Sequence, residues 1–181
     1  MLQNIMMMEQ DILIWIQNNL RMERLTPIFI FITNLGNKGA IWILISVSLL
    51  FSKKTRNIGI LSLSALFLSV IMDNVILKNV IARSRPFDVV EGLTCLIKKP
   101  TDYSFPSGHT GSSFAAAVVL FLNFPKKYSF SALILAFLIG FSRLYVGVHY
   151  LSDVIGGAVI GTMIAVTVCM IGRNLHKKER A

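Results

Sequence analysis

Four apolar runs, each carrying at most one formal charge, constrain this chain more than any other feature. Residues 58–77 hold only Asp73, residues 128–148 only Arg143 and residues 150–172 only Asp153. At about 1.5 Å per residue, each is long enough to cross about 30 Å of hydrocarbon. Residues 107–124 form a slightly shorter run that still suffices, because its first turn can lie in the interface. With 54% hydrophobic residues among 181, the chain reads as a single membrane-embedded domain, 1–181, with no room for a second soluble one.

The amino-terminal third is less regular. Residues 39–51 are strongly apolar but short, and the apolar stretch 25–33 before them is separated by Asn34, Gly36, Asn37 and Lys38. This pattern predicts a half-length helix, a break at Leu35-Gly36-Asn37, and then a span. Upstream, Ile12, Leu13, Trp15, Ile16 and Leu20 recur at helical spacing among Glu9, Asp11, Gln17, Asn18 and Arg21. That spacing predicts an amphipathic helix lying on the membrane. The first residues lack a basic start and a small-residue cleavage site, so no cleavable signal peptide is expected. The fold expected is all-α: an integral membrane bundle of about five to six transmembrane helices with an amino-terminal amphipathic interfacial helix.

Loop charge sets the expected orientation. The connections 52–57 and 125–127 and the tail 173–181 fall on one side and hold Lys53, Lys54, Arg56, Lys126, Lys127, Arg173, Lys177, Lys178 and Arg180. The positive-inside rule makes that side, and the carboxyl terminus, cytoplasmic. The loop 82–105 and the turn at His149 then face outward from the plasma membrane, although Arg83, Arg85, Lys98 and Lys99 on that loop oppose the assignment. Cytoplasmic anchors account for about half of the cations behind the net charge of +9, and no aromatic-interleaved basic patch points to nucleic acid. Cys95 and Cys169 fall at opposite ends of the bundle, too far apart for a disulfide, and neither has a neighbour at metal-ligand spacing.

The chemistry sits at the helix ends. A charge at membrane depth is costly and requires a partner, and a phosphate would satisfy Lys78 and Arg143. Together with Arg85, these two can neutralise charge building on the oxygens of a transferring phosphoryl group. Ser104 is read as a helix cap and Pro106 as first-turn proline, so that the backbone amides of Ser107, Gly108 and His109 point at an anion. His149 and Asp153, four apart, share a face if helical, and the carboxylate then fixes the tautomer of an imidazole nucleophile. His109, at the start of another helix, is placed to protonate the leaving oxygen. No carboxylate or Cys/His cluster suggests a metal, and the three cations would do a metal's work, so no cofactor is expected.

The ordered patterns Lys-x6-Arg-Pro from Lys78, Pro-Ser-Gly-His from Pro106 and Ser-Arg-x5-His-x3-Asp from Ser142 resemble the type 2 phosphatidic acid phosphatase (PAP2) family, membrane relatives of vanadium-dependent haloperoxidases. Every fixed position matches, over a core from about 58 to 172. The resemblance implies a helical core, usually of six spans, and a metal-independent phosphatase with a phosphohistidine intermediate on His149, oriented by Asp153. It also implies His109 as acid and a phosphate pocket of Lys78, Arg85, Ser107, Gly108, His109 and Arg143. Among bacterial relatives of this size it suggests undecaprenyl pyrophosphate, phosphatidylglycerol phosphate or phosphatidate as substrate. The first is favoured, because little soluble chain remains to recognise an elaborate headgroup and the surplus loop cations suit a diphosphate.

A structural role is ordinary for a lone membrane His or Arg, but six such groups in one ordered pattern outweigh it. Asp73, without a motif around it, is read as an interhelical hydrogen-bonding group rather than a catalytic one. Arg83 and Lys98-Lys99 are read as solvated loop charges ahead of headgroup contacts. Gly157 with Gly161, and Gly111 with Ala115, are read as packing surfaces inside the bundle. A haloperoxidase is disfavoured because its relatives are soluble. A non-catalytic lipid-phosphate binding or transport module would tolerate loss of His149 or Asp153, and both are present.

Overall fold

A computed structural model describes residues 2–178, and among them all regular structure is helical. Helix α1 is Leu2–Asn19 and α2 is Thr26–Leu35; a short 3-10 turn at Asn37–Gly39 leads into α3, Ala40–Leu50. Helix α4, Arg56–Val70, continues through a π-helical stretch, Ile71–Leu77, into the short α5, Lys78–Ile81, and a loop carries the one-turn α6, Pro86–Val89. The carboxyl-terminal half is three long helices: α7 Gly108–Asn123, α8 Lys126–Tyr145 and α9 Leu151–Lys178.

The expected break between half-helix and span is present. Helices α2 and α3 meet at 49°, where Lys38 and Gly39 both take positive φ, and together they have the length and apolarity of one span. Counting that bent pair, up to four segments are long and apolar enough to cross a membrane. Helix α7 makes a fifth bundle member, but at 16 residues it is shorter than the hydrocarbon is thick. It is also the central helix, packed on α9, α8 and α4, with Ala115, Ala116, Ala117 and Val119 fully buried, so little of it needs to meet lipid.

Small residues let α7 and α9 approach closely. A Cβ at Gly157 would lie 2.6 Å from the Ser107 carbonyl oxygen, and one at Gly161 would collide with the Gly111 carbonyl oxygen. The glycines are therefore packing surfaces within the bundle, as their spacing predicts. Buried hydroxyl contacts add to the packing: Ser46 and Ser62 join α3 to α4 at 2.6 Å, and Trp42 Nε1 donates to Ser113 Oγ at 2.8 Å.

Helix α1 does more than lie on a membrane. Leu13 and Ile16 are buried in a cluster with Leu93, Tyr145, Val146 and Val148, while Trp15 faces outward and is 56% exposed. The amphipathic helix is thus seated on the loop 90–97 and the turn after α8, at the end of the bundle that carries the motifs. The side chains of Lys177, Lys178 and Arg180, counted above as cytoplasmic anchors, lie outside the described residues.

Candidate active site

At that end the bundle opens into a cavity of about 390 Å³ lined by Lys78, Arg85, Gly108, His109, Arg143 and His149, with Asn74, Pro100 and Asp102 beside them. Three sequence-distant motifs therefore converge. The local geometry explains each side chain's aim. Lys78 opens the turn that follows the π-helical stretch and is 5% exposed. Arg85 precedes α6 in extended backbone; its Nε donates to the Asp102 carbonyl at 2.7 Å and its Nη1 to the Val148 carbonyl at 2.8 Å. Arg143 lies in the last turn of α8, where Nη1 donates to Thr33 Oγ1 and buried Nε has no hydrogen-bond partner. A buried guanidinium that lines the cavity and is not fully paired is a ready anion donor.

His149 is not on a helix. It sits in the turn just before α9, yet its Nδ1 lies 3.3 Å from Asp153 Oδ2, because the carboxylate turns back to cap the helix start and accepts from the Tyr150 N–H at 2.9 Å. A proton on Nδ1 donated to Asp153 leaves Nε2 unprotonated, its lone pair accepting a long, 3.4 Å contact from Arg85 Nη1 that a substrate phosphate can replace. His109 lies in the first turn of α7, with Nε2 2.9 Å from Asn37 Oδ1.

Several sequence readings change. Ser104 does not cap a helix; its hydroxyl donates to Asp153 Oδ2 at 2.5 Å and lies 3.5 Å from His149 Nδ1. The cap is Ser107, fully buried, whose hydroxyl accepts from Thr110 N–H and Oγ1–H, so its side chain does not line the cavity; Pro106 precedes that cap. The Ser107 amide is also occupied, donating to the Asp153 carbonyl at 3.0 Å, which leaves the helix-start anion role to the amides of Gly108 and His109. Asp73 is fully buried and accepts from Ser69 Oγ at 2.7 Å, one turn back on its own segment, while its other oxygen has no partner; the bond is not interhelical. Arg83 is not a solvated loop charge: it is paired with Asp153 and Glu9, each at 2.7 Å.

Asp102 carried no sequence signal. Its carboxylate forms ion pairs with both Lys78 and Arg85, the latter at 2.7 Å. Partial burial would push this loop carboxyl up, but the hydrogen bonds and charges of Lys78 and Arg85 outweigh it and hold it down at about 2. Asn37 and Thr33 were also missed; they sit at and before the helix break, more than 70 residues from the side chains they touch. The break itself was the available signal, since irregular backbone at membrane depth is tolerated where it lines a cavity.

Comparison with known proteins decides the family. The PAP2 superfamily model matches residues 58–177. The chain belongs to the PAP2 superfamily. An undecaprenyl-diphosphatase from Sulfolobus acidocaldarius is 37% identical over 141 residues, covering 78% of this chain and 68% of that protein. Undecaprenyl-diphosphatase BcrC from Bacillus subtilis is 41% identical over 81 residues, covering 44% of this chain and 40% of that relative. The crystal structure of a transmembrane PAP2-type phosphatidylglycerolphosphate phosphatase from Bacillus subtilis superposes with a TM-score of 0.78 at 26% identity, over 94% of this chain and 87% of that one. The protein is accordingly an all-helical membrane enzyme of the PAP2 lipid phosphatase class.

Proposed function

We propose that this PAP2 enzyme removes phosphate from a membrane lipid without a metal, through a phosphohistidine on His149. The observation that carries the reading is the convergence of Lys78, Arg85, Arg143, His109 and His149 on one cavity, with Asp153 directly behind His149. In this reading Nε2 of His149 attacks phosphorus and forms the N–P bond as the P–O bond to the lipid breaks. His109 gives the departing oxygen its proton, and Asp153 stabilises the imidazolium that develops. Water, giving a proton to the now neutral His109, then attacks phosphorus; the N–P bond breaks, its electron pair returns to His149 Nε2, and inorganic phosphate leaves. Lys78, Arg85, Arg143 and the amides of Gly108 and His109 hold the three equatorial oxygens throughout.

Undecaprenyl pyrophosphate is the preferred substrate, with phosphatidylglycerol phosphate or phosphatidate as the alternatives. The names of the Sulfolobus and BcrC relatives support the first and that of the Bacillus structure the second. We place the site at the outer face of the plasma membrane with the carboxyl terminus inside; Lys53, Lys54, Arg56, Lys126 and Lys127, in the loops at the other end of the bundle, support this orientation.

The test is phosphate release by purified protein in detergent with a chelator present, comparing the three lipids, with His149→Ala as control. Release that survives the chelator and vanishes in the variant is expected. Substantial turnover by His149→Ala would overturn the mechanism. No release from any of the three lipids would instead favour a different phospholipid substrate or a lipid-phosphate binding role.

A further inference from the structure

We propose that Arg83, seated by Glu9 of the amino-terminal helix, is a positioning residue for the Asp153–His149 pair, so that α1 is part of the catalytic apparatus. Arg83 falls among the six unspecified positions of the Lys-x6-Arg-Pro pattern and Glu9 lies outside the family-matched residues 58–177, so no motif assigns either a role. The inference rests on the reading of His149 as nucleophile.

Both terminal nitrogens of the guanidinium are engaged. Nη1 donates to Asp153 Oδ1 and to Ser152 Oγ, both at 2.7 Å; Nη2 donates to Glu9 Oε2 at 2.7 Å; and the group lies over the Tyr150 ring, 4.0 Å from its centroid. Glu9 is 4% exposed, and its second oxygen accepts the Ser152 N–H at 2.7 Å in the first turn of α9. Such an arrangement fixes both the place of Asp153 and how its charge is shared. Oδ1 is taken by Arg83, while Oδ2 receives Ser104 Oγ–H, Tyr150 N–H and His149 Nδ1–H. Neither Arg83 nor Glu9 lines the cavity, so Arg83 acts through Asp153 and not on phosphate.

The charge balance makes a signed prediction. His149 faces Asp153 on one side, Arg85 on the other, and Arg143 and His109 across the cavity. Arg83 draws on the Asp153 carboxylate. Replacing it with Gln leaves the whole negative charge acting on His149, which favours the protonated ring that cannot attack. The acid limb of kcat/KM should therefore move to higher pH. Glu9→Gln removes the carboxylate that offsets Arg83, so Arg83 draws harder on Asp153 and the limb should move to lower pH.

The experiment is a pH–rate profile of lipid phosphate hydrolysis by the full-length protein, Arg83→Gln, Arg83→Lys and Glu9→Gln, with thermal unfolding in detergent alongside. Arg83→Gln should lose about 10- to 100-fold in kcat at unchanged KM, the loss seen when the outer partner that orients a metal-bound imidazole is removed. Arg83→Lys should recover part of the rate, because an ammonium restores the charge but not the planar fork that spans Asp153 and Glu9. Limb shifts of opposite sign in Arg83→Gln and Glu9→Gln support the proposal. An unchanged profile at unchanged kcat, or lost rate with no limb shift in either variant, overturns it. If Arg83→Gln fails to fold, Arg83→Lys and Glu9→Gln still decide. Activity in His149→Ala would sink the nucleophile reading and this inference with it, whereas a dead His149→Ala beside unshifted Arg83 and Glu9 profiles sinks this inference alone.

Discussion

Asn37 Oδ1 accepts from Nε2 of His109 across 2.9 Å, and so the helix break of the amino-terminal third reaches into the candidate active site. Gly36 completes the contact, since a Cβ there would lie 2.9 Å from His109 Cδ2. An oxygen acceptor at this distance fixes the ring and holds one proton on Nε2, so that the proton a general acid gives up is the second one, on Nδ1 of the imidazolium.

Asn37→Leu should therefore depress kcat more than it raises KM, by an amount that depends on the leaving group. His109→Ala sets the ceiling, at about 10²- to 10⁴-fold, as for general acids elsewhere. A substrate with an acidic leaving group, such as p-nitrophenyl phosphate, needs no proton and should be spared in both variants. Equal losses on p-nitrophenyl phosphate and on a lipid phosphate would show that Asn37 and His109 are not working as acid and orienter.

Arg143 should not be replaceable by Lys. Its Nη1 is committed to Thr33 Oγ1, and the guanidinium as a whole lines the cavity, where its remaining fork can meet a ligand. Lysine keeps the charge but not the fork, so it must abandon either Thr33 or the phosphate. Losing one charge-assisted hydrogen bond should raise the inhibition constant for vanadate about tenfold. Titration of activity with vanadate in Arg143→Lys checks this, and wild-type inhibition would show that Arg143 does not touch the phosphoryl group.

The spans were legible because the apolar runs are long and each carries at most one charge, and the motif residues because they sit at the ends of those runs. Lys78, Arg85, His109, Arg143 and His149 all line the cavity that their spacing anticipates. What stayed hidden were contacts between residues far apart in sequence with no period to announce them. Glu9 read as one more residue on the polar face of α1, and nothing local tells a carboxylate that meets water from one that meets Arg83. The same holds for Ser104, whose cap-like sequence context is met instead by Ser107, because Ser104 is drawn to Asp153. Loop conformation, set by tertiary contacts, decided both.

Gly161→Ala should destabilise the bundle without touching the chemistry. The added methyl would collide with the Gly111 carbonyl oxygen and lie 3.0 Å from the Ala115 amide nitrogen, both backbone atoms that cannot rotate away. Helices α7 and α9 would have to separate, at a cost of about 1–3 kcal/mol for overpacking. Thermal unfolding in detergent should show a lowered midpoint while the folded fraction keeps its KM. Gly92→Ala is a useful contrast, since nothing lies within 4 Å of its Cβ and only its φ of +78° opposes the change.

Asp102→Asn should strengthen phosphate binding. The Asp102 carboxylate pairs with Lys78 and Arg85, two of the cations proposed to receive the substrate, so an incoming phosphate must displace it or share them. Asp102 is half exposed, its side chain being 52% accessible, so the competing pairs are screened and the gain should be about three- to tenfold in the vanadate inhibition constant. The sign with pH follows from the depressed carboxyl. With its value in the folded protein at about 2, below that of a free aspartate, Asp102 is charged throughout the neutral range. Its contribution to stability is present above the unfolded value near about 4 and is lost only as pH falls through about 2. The difference between Asp102→Asn and the parent should therefore be constant from pH 5 to pH 8. A vanadate constant in Asp102→Asn equal to or weaker than the parent's would show instead that Asp102 helps to hold Lys78 and Arg85 in place for the ligand.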